Sequence, residues 1–307
     1  MIRKTFSMGL VLLLMACSAP SAPASTPTPF TGTPQPLIID TDMAADDWMA
    51  ILYLLKRSEV SIVAITVTGT GEAHCEPGVK NALRLTALAD QPDIPVTCGR
   101  ETPLQGSHMF PSEWRTNVDS LAGLSLPDNP ASPFAGSAVE LFTRTIQSST
   151  DKVTVLTLGP LTNVAEALQA APELKDQIDM VYIMGGAVDV TGNVGTSGAG
   201  INNQVAEWNI YVDPHATARV FQSGVPITLV PLDATNHAPV TDRFVKRIKN
   251  NRQTPEARFV FDLLTKTEYH DFIRMGGYYF WDPLAAAILT DNSLATFEFK
   301  TLIVVEE

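Results

Sequence analysis

One stretch decides the fold of this chain: Leu37-Ile38-Ile39-Asp40-Thr41-Asp42-Met43-Ala44-Ala45-Asp46-Asp47. The apolar run after Pro36 is typical of a buried strand in a parallel sheet, and the segment from Asp46 has the pattern of a helix start. Ligands of open α/β sheets bind at the carboxyl ends of the strands. The stretch therefore predicts an α/β fold with a functional site directly after its first strand.

The four carboxylates of this stretch fall within eight residues and repel one another unless a cation lies among them. All are hard oxygen ligands with no His or Cys between them, which favours calcium or magnesium over zinc. Helix capping explains one or two of them, because Asp46 and Asp47 would complement the dipole at a helix N-terminus. It does not explain all four, and we therefore predict a metal-centred active site.

The charge of the chain excludes nucleic acid as a partner. The 307 residues carry 21 Lys and Arg against 33 Asp and Glu, a formal net charge of −12, so a polyanion would be repelled. Hydrophobic residues make up 45% of the chain, which is enough for one large core or two modest ones.

The first 35 residues have the pattern of a secreted leader and a tether. Arg3 and Lys4 precede a short apolar stretch, and Cys17 ends a segment that resembles a bacterial lipobox. We predict a lipoprotein signal peptide over 1–16, lipidation of Cys17, and a flexible Ser/Ala/Pro/Thr tether over 17–35. An ordinary signal peptide is the alternative. The predicted location is the bacterial cell envelope, where the lipid anchor on the periplasmic or extracytoplasmic face is the only membrane contact.

The two remaining cysteines leave two alternatives open. In an oxidising compartment Cys75 and Cys98 form a disulfide if the fold brings them within reach. Two buried thiols are the other possibility.

From Pro36 onward, apolar runs alternate with helical segments, which is the signature of a doubly wound α/β fold. Strands are predicted at Leu37–Asp40, Val60–Val67, Ile94–Thr97, Val153–Leu158, Met180–Met184, Ile227–Val230 and Phe297–Val305. Helices are predicted near Asp47–Lys56, Val79–Ala89, Ala138–Gln147, Leu161–Ala171, Pro214–Gln222, Thr241–Asn250, Glu256–Lys266 and Pro283–Leu289. The segment 101–132 is long for a plain connection, so we expect a lid or binding loop there.

Polar and aromatic residues that could bind a ligand also follow other predicted strands or lie inside the long loop. The chain has four Trp residues, and each lies in such a segment: Trp48, Trp114, Trp208 and Trp281. This placement predicts an aromatic slot for a flat ligand. Asp213 and Pro214 are interpreted as the N-cap and first residue of a helix.

Five motifs occur in the order found in one known family: Asp-x-Asp-x-x-x-Asp-Asp from Asp40, Gly-Pro-Leu-Thr-Asn from Gly159, Met-Gly-Gly from Met184, Ala-Glu-Trp-Asn-Ile-Tyr-Val-Asp-Pro from Ala206 and Trp-Asp-Pro from Trp281. They resemble the inosine–uridine nucleoside hydrolase family and span nearly the whole domain predicted over 36–307. The resemblance implies an open, mostly parallel, doubly wound (Rossmann-like) sheet. It also implies a homo-oligomer that hydrolyses the N-glycosidic bond of ribonucleosides with Ca²⁺ as cofactor.

The resemblance implies a role for each matched residue. Asp42 would be the general base on a calcium-bound water that attacks the anomeric carbon. The implied calcium ligands are Asp42, Asp47, Asp282 and the main-chain carbonyl of Leu158. The implied ribose-binding residues are Asp46, Asn193, Glu207 and Asn209.

The base-binding residues are implied by one branch of the family. Trp281 stands where many members carry a His, and this resembles the purine-preferring branch. There Trp114 and Trp281 would stack on the base, with Glu72 near it. The substrate expected is therefore a purine ribonucleoside.

Other classes fit the residues less well. In a haloacid-dehalogenase-type phosphatase, Asp40 and Asp42 match the motif but Ala44 does not. A non-catalytic nucleoside- or sugar-binding lipoprotein would keep the aromatic slot and lose the base, so the presence of Asp42 favours catalysis. An EF-hand is excluded, because Ala45 stands at the position of its invariant Gly and Ile51 at that of its bidentate Glu.

Overall fold

The computed structural model describes residues 30–306. The predicted signal peptide, Cys17 and most of the predicted tether lie outside the described residues. The predicted division of the chain at residues 16 and 35 therefore stays a prediction.

One sheet of six parallel strands organises the fold. Its order is β3-β2-β1-β4-β5-β6, and every neighbouring pair is parallel. The strands are β1 Gln35–Thr41, β2 Val60–Val67, β3 Val96–Cys98, β4 Val153–Thr157, β5 Ile178–Met184 and β6 Ile227–Val230. The predicted doubly wound α/β fold is confirmed. All strands run in the same direction, but the chain adds them on one side of β1 as far as β3 and on the other side from β4 onward. Such sheets open a crevice at the carboxyl ends of the two strands where this order reverses, here β1 and β4.

The central strand β1 is buried on both faces, as its uninterrupted apolar run predicts. Leu37 and Ile39 pack in one core cluster with Trp48, whereas Ile38 packs in a second cluster with Phe142. Side chains alternate across a strand, so each face of the sheet buries its own set against helices. Each of these fully buried aliphatic side chains stabilises the fold by roughly 1.5–3 kcal/mol.

The described residues form twelve α-helices, which include all eight predicted ones. Their bounds are α1 Ala45–Leu55, α2 Cys75–Leu88, α3 Ser112–Asp119, α4 Ala138–Ser148, α5 Thr162–Ala170, α6 Trp208–Val212, α7 Pro214–Gln222, α8 Leu232–Thr235, α9 Asp242–Asn251, α10 Pro255–Leu264, α11 Thr267–Arg274 and α12 Trp281–Thr290. Helix α3 lies within the long predicted loop. The four helices that the sequence did not predict, α3, α6, α8 and α11, have eight residues or fewer.

The last predicted strand, Phe297–Val305, is wrong. These residues have no regular secondary structure, and Phe299, Ile303 and Val305 are exposed. An alternating apolar pattern forms a strand only where a neighbouring strand supplies hydrogen-bond partners. None of the six described strands pairs with this segment.

A disulfide joins Cys75, the first residue of α2, to Cys98, the last residue of β3, with 5.5 Å between their Cα atoms. Of the two alternatives that the sequence leaves open, the structure therefore shows the disulfide. The bond ties the chain segment after β2 to the edge strand, close to the carboxyl ends of the sheet.

Candidate active site

A cavity of about 800 Å³ opens at the carboxyl ends of β1 and β4. Its lining contains most of the predicted site residues, which are Asp42, Asp46, Glu72, Trp114, Leu158, Asn193, Glu207, Asn209, Trp281 and Asp282. Asp47 does not line the cavity but is fully buried beside it. Residues from strand ends, from the long loop and from the C-terminal helix thus converge on one place.

The turn after β1 holds the carboxylate of Asp42 from two sides. The main-chain N–H of Ala44 donates to Oδ1 at 3.2 Å, and that of Glu72 donates to Oδ2 at 3.2 Å. Between them Met43 is fully buried with a φ of 61°. A non-glycine residue in the left-handed region is uncommon and stores strain, a feature that clusters at functional sites.

Asp46 and Asp47 lie in the first turn of α1, as the capping explanation expects, but neither residue is the N-cap of this helix. No side chain caps its first turn. Thr41 Oγ1 instead donates to Asp47 Oδ1, while Asp47 Oδ2 is buried with no hydrogen-bond partner among the described residues. One carboxylate oxygen from each of Asp46, Asp47 and Asp282 lies within 4.8 Å of the others. Such a set of hard oxygens with a partnerless buried oxygen fits a divalent cation such as calcium.

The electrostatics of the cluster point the same way. Burial raises the pKa of Asp46 to about 6 and that of Asp47 to about 7. Burial, reinforced by the charges of Asp46 and Asp47, raises the pKa of Asp282 well above its ordinary value. Burial and the same two neighbours raise the pKa of Asp42. A cation bound among these carboxylates would favour their ionised forms over the protonated forms that burial favours.

Asp40 lies behind this cluster and supports it. Its Oδ1 accepts hydrogen bonds from Thr66 Oγ1 at 2.6 Å and from Asn163 Nδ2 at 2.8 Å. Burial nevertheless raises its pKa to about 7. The Asn of the Gly-Pro-Leu-Thr-Asn motif thus contacts a carboxylate of the first motif.

Another part of the cavity lining carries amide and carboxylate groups. Glu207 caps α6, accepting from the main-chain N–H of Asn209 at 3.0 Å, and its Oε2 accepts from that of Gly186 at 2.8 Å. Asn209 Nδ2 donates to the carbonyl of Leu158 at 3.4 Å, and Asn193 Oδ1 accepts from the N–H of Trp208 at 3.1 Å. These side chains are held in place while still lining the cavity.

The aromatic residues form two groups rather than one slot. Trp114 packs with Phe110 and Trp208, with ring centroids 6.4 and 5.3 Å away. Trp281 packs with Tyr278 and Tyr279, with centroids at 5.4 and 5.7 Å. Both groups line the cavity.

The prediction that all four Trp residues form the aromatic slot is wrong for Trp48. This side chain is fully buried in the core, where its Nε1 donates to the carbonyl of Met43 at 2.8 Å. This hydrogen bond holds the turn after β1 in place. The predicted N-cap of α7 is observed, since Asp213 Oδ1 accepts from the N–H of Ala216 at 3.0 Å.

Sequence reasoning assigned no role to several residues of the site. Tyr269 and Tyr278 line the cavity from the segment before α12, and the buried hydroxyl of Tyr278 has no hydrogen-bond partner among the described residues. Arg115 is buried beside Glu72. Each reaches the site through tertiary packing, and only the double Tyr before Trp281 is a signal that sequence analysis could have used.

Comparisons with known proteins agree with this geometry. The model of the inosine-uridine preferring nucleoside hydrolase family matches residues 37–307. A pyrimidine-specific ribonucleoside hydrolase RihA of Salmonella paratyphi C is 36% identical over 267 residues, covering 85% of this chain and 81% of the relative.

Solved structures show the same similarity. A purine-preferring ribonucleoside hydrolase from Gardnerella vaginalis superposes with a TM-score of 0.73 at 30% identity, covering 85% of this chain and 82% of its own. An inosine-uridine preferring nucleoside hydrolase from Bacillus anthracis gives 0.71 at 25% identity, covering 85% and 83%.

The predicted location on the bacterial cell envelope is wrong. The proteins to which this chain is similar are nucleoside hydrolases matched over the domain that follows the predicted leader, and they do not support a lipid-anchored envelope protein. Between residues 30 and 306, no helix combines the length and the apolar character that crossing a membrane requires.

Proposed function

Because the chain belongs to the inosine-uridine preferring nucleoside hydrolase family, whose members hydrolyse the N-glycosidic bond of ribonucleosides, we propose a calcium-dependent enzyme that acts preferentially on purine ribonucleosides. One observation carries the proposal: Asp42, Asp46 and Asp282 line one cavity, with Asp47 buried beside them. The cavity volume of about 800 Å³ lies in the range of small-molecule sites.

Four groups would hold the calcium ion: the carboxylates of Asp42, Asp47 and Asp282 and the carbonyl of Leu158. When bound, the ion supplies a positive charge that lowers the pKa of water beside it. Asp42 acts as the general base and accepts the proton of the attacking water. The two main-chain N–H groups that hold its oxygens keep the carboxylate oriented for this transfer.

The ribose is bound by Asp46, Asn193, Glu207 and Asn209, whose oxygens accept hydrogen bonds from sugar hydroxyls. Positive charge develops on the sugar as the glycosidic bond breaks, and the surrounding carboxylates stabilise it. The main-chain donors to Glu207 fix its position before substrate binds, so this stabilisation needs little reorganisation.

The base preference is argued from the two aromatic groups. Trp114 and Trp281 lie one in each group, and both line the cavity, so a base between the groups is contacted by rings from two sides. A two-ring purine offers a larger stacking area than a pyrimidine. Glu72 also lines the cavity and is the group that we assign to the edge of the base. Pyrimidine nucleosides are the competing substrates, because the Salmonella relative is named pyrimidine-specific.

The test is release of free base and ribose by the purified full chain. Inosine, guanosine, adenosine, uridine and cytidine are compared, with EDTA and after calcium is restored. We expect calcium-dependent turnover that favours the three purine nucleosides. A preference for uridine and cytidine would overturn the purine assignment alone.

The Asp42→Asn variant tests the assigned general base. Its turnover should fall on the order of 10²- to 10⁴-fold while nucleoside binding is retained. Asp151→Asn, a change at an exposed position, is the control. Nucleoside binding without turnover by the wild-type chain would instead identify a non-catalytic binding protein.

A further inference from the structure

Arg115 is a buried cation with an unusual set of partners. Its side chain lies in α3, directly after Trp114, and the residue is 8% exposed. Nη2 donates to the carbonyls of Gly69 at 2.9 Å and Ala73 at 3.3 Å, and Nε donates to that of Glu72 at 3.4 Å. Within residues 30–306, no salt bridge to a carboxylate accompanies these bonds. The guanidinium therefore donates its hydrogen bonds to the main chain. All three acceptors are carbonyls of one five-residue segment, 69–73.

The same segment contacts Asp42. The N–H of Glu72 donates to Asp42 Oδ2 at 3.2 Å, and the N–H of Ala73 donates to the Asp42 carbonyl at 2.9 Å. Gly71 is packed so closely that a Cβ at that position would lie 2.0 Å from Asp42 Cβ. One face of the segment thus contacts Arg115 and another contacts the proposed general base.

Helix α3 is also fixed by contacts that do not involve Arg115. Asn117 Nδ2 donates to the hydroxyl of Tyr269 at 3.0 Å, and Asp119 accepts from the N–H of His74 at 2.9 Å. Removing the guanidinium should therefore release segment 69–73 and leave Trp114 in its place. This separates an effect on segment 69–73, and so on Asp42 and Glu72, from an effect on stacking of the base by Trp114.

We propose that Arg115 is a positioning residue for the reaction: it holds segment 69–73 against Asp42 and so fixes the orientation of the Asp42 carboxylate. The proposal rests on the proposed function in one respect, the role of Asp42 as general base. The other part of the proposal, that Arg115 restrains segment 69–73, does not depend on whether the protein is an enzyme.

The kinetic test compares Arg115→Met, Arg115→Lys and Arg84→Met in the full chain. Met keeps much of the aliphatic volume and removes every donor, whereas Lys keeps the charge but not the planar fork. Arg84 is the matched control, because it donates to Asp128 at 3.0 Å and does not line the cavity.

For the best nucleoside substrate, Arg115→Met should lower kcat by about tenfold or more with KM changed less than about threefold. Arg115→Lys should recover part of kcat, and Arg84→Met should match the wild type. A wild-type kcat in Arg115→Met, or a rise in KM alone, would overturn the proposal.

Amide hydrogen exchange of residues 69–73 supplies a readout that needs no turnover. Arg115→Met should accelerate exchange of the Glu72 and Ala73 N–H groups by about tenfold over Arg84→Met. Unchanged exchange would overturn the proposal, even if the wild-type chain hydrolysed no nucleoside. If Arg115→Met fails to fold, the same comparison is made with Arg115→Lys. Absence of wild-type turnover together with accelerated exchange would reject the proposed function and retain the restraint.

Discussion

The main-chain N–H of Asp282 donates to Oδ2 of Asp46 at 3.5 Å, across 236 positions of sequence. Asp46 lies in the first turn of α1 and Asp282 in that of α12, so this contact joins the beginning of the domain to its C-terminal helix. The carboxylates of Asp46, Asp47 and Asp282 meet as a result. The candidate cation site, to which Asp47 and Asp282 both contribute in our proposal, is therefore assembled only when α12 packs beside α1.

Removal of the Asp282 carboxylate should weaken calcium binding. In Asp282→Asn we expect the calcium concentration for half-maximal activity to rise at least about tenfold, because a charged ligand is replaced by a neutral one. Calorimetric titration of the chelator-treated protein measures this affinity directly. Asp291→Asn is the matched control, since Asp291 directly follows the same helix and its exposed side chain accepts a hydrogen bond from the N–H of Ser293. Equal calcium affinity in the two variants would contradict the assignment of Asp282.

A methyl group on Gly71 should displace Asp42 and so disable the site. The new Cβ of Gly71→Ala would lie 2.0 Å from Cβ and 2.5 Å from Oδ2 of Asp42, so the carboxylate must move. We expect kcat to fall on the order of 10²-fold, as for a misplaced general base. Gly106→Ala is the control: its φ of +84° imposes a strain on the order of 1 kcal/mol, but nothing lies within 4 Å. A Gly71→Ala enzyme as active as Gly106→Ala would refute the close packing.

Truncation of the cavity tryptophans should affect purine substrates most. Trp114→Ala and Trp281→Ala each remove a ring from the cavity, and stacking on a base contributes about 1–3 kcal/mol. We expect KM for inosine to rise about tenfold and KM for uridine to rise less. Phe299→Ala, which removes an exposed ring far along the chain, is the control. Equal losses for the two nucleosides would argue against stacking as the source of preference.

The metal-free protein should lose stability as the pH rises. Burial raises the pKa of Asp40 to about 7 from an ordinary 3.8, so between these values the folded protein holds a proton that the unfolded chain releases. The stabilisation is fully present below about pH 4 and is lost as the pH passes through about 7. Asp46 and Asp47 shift in the same direction.

Thermal unfolding of chelator-treated protein measures this dependence. Tm should fall from about pH 4 to about pH 7, and Asp40→Asn should make the fall shallower than Asp151→Asn does. Calcium added near pH 8 should raise Tm, because it binds only the folded arrangement of carboxylates. A Tm that rises with pH in the presence of chelator would contradict the burial of these groups without a cation.

Local pattern was sufficient to locate the six strands that form the sheet and the residues at its carboxyl edge, although it also predicted a seventh strand that does not form. The runs around Ile38, Val60 and Val153 predict strands that the structure contains, because a strand buried on both faces is apolar without interruption. Asp42 and Leu158 follow two such strands directly, so parallel pairing brings them to one edge.

Only the tertiary structure decided which distant segments meet. It placed Trp48 in the core instead of the cavity, joined Cys75 to Cys98, and brought Arg115 under the segment that holds Asp42. It also left Phe297–Val305 without a pairing strand. The physical reason is that periodicity and capping are properties of neighbouring residues, whereas these contacts depend on how whole helices pack across the sheet. The sequence by itself determined the sheet and the acidic edge; packing decided how that edge is completed and held.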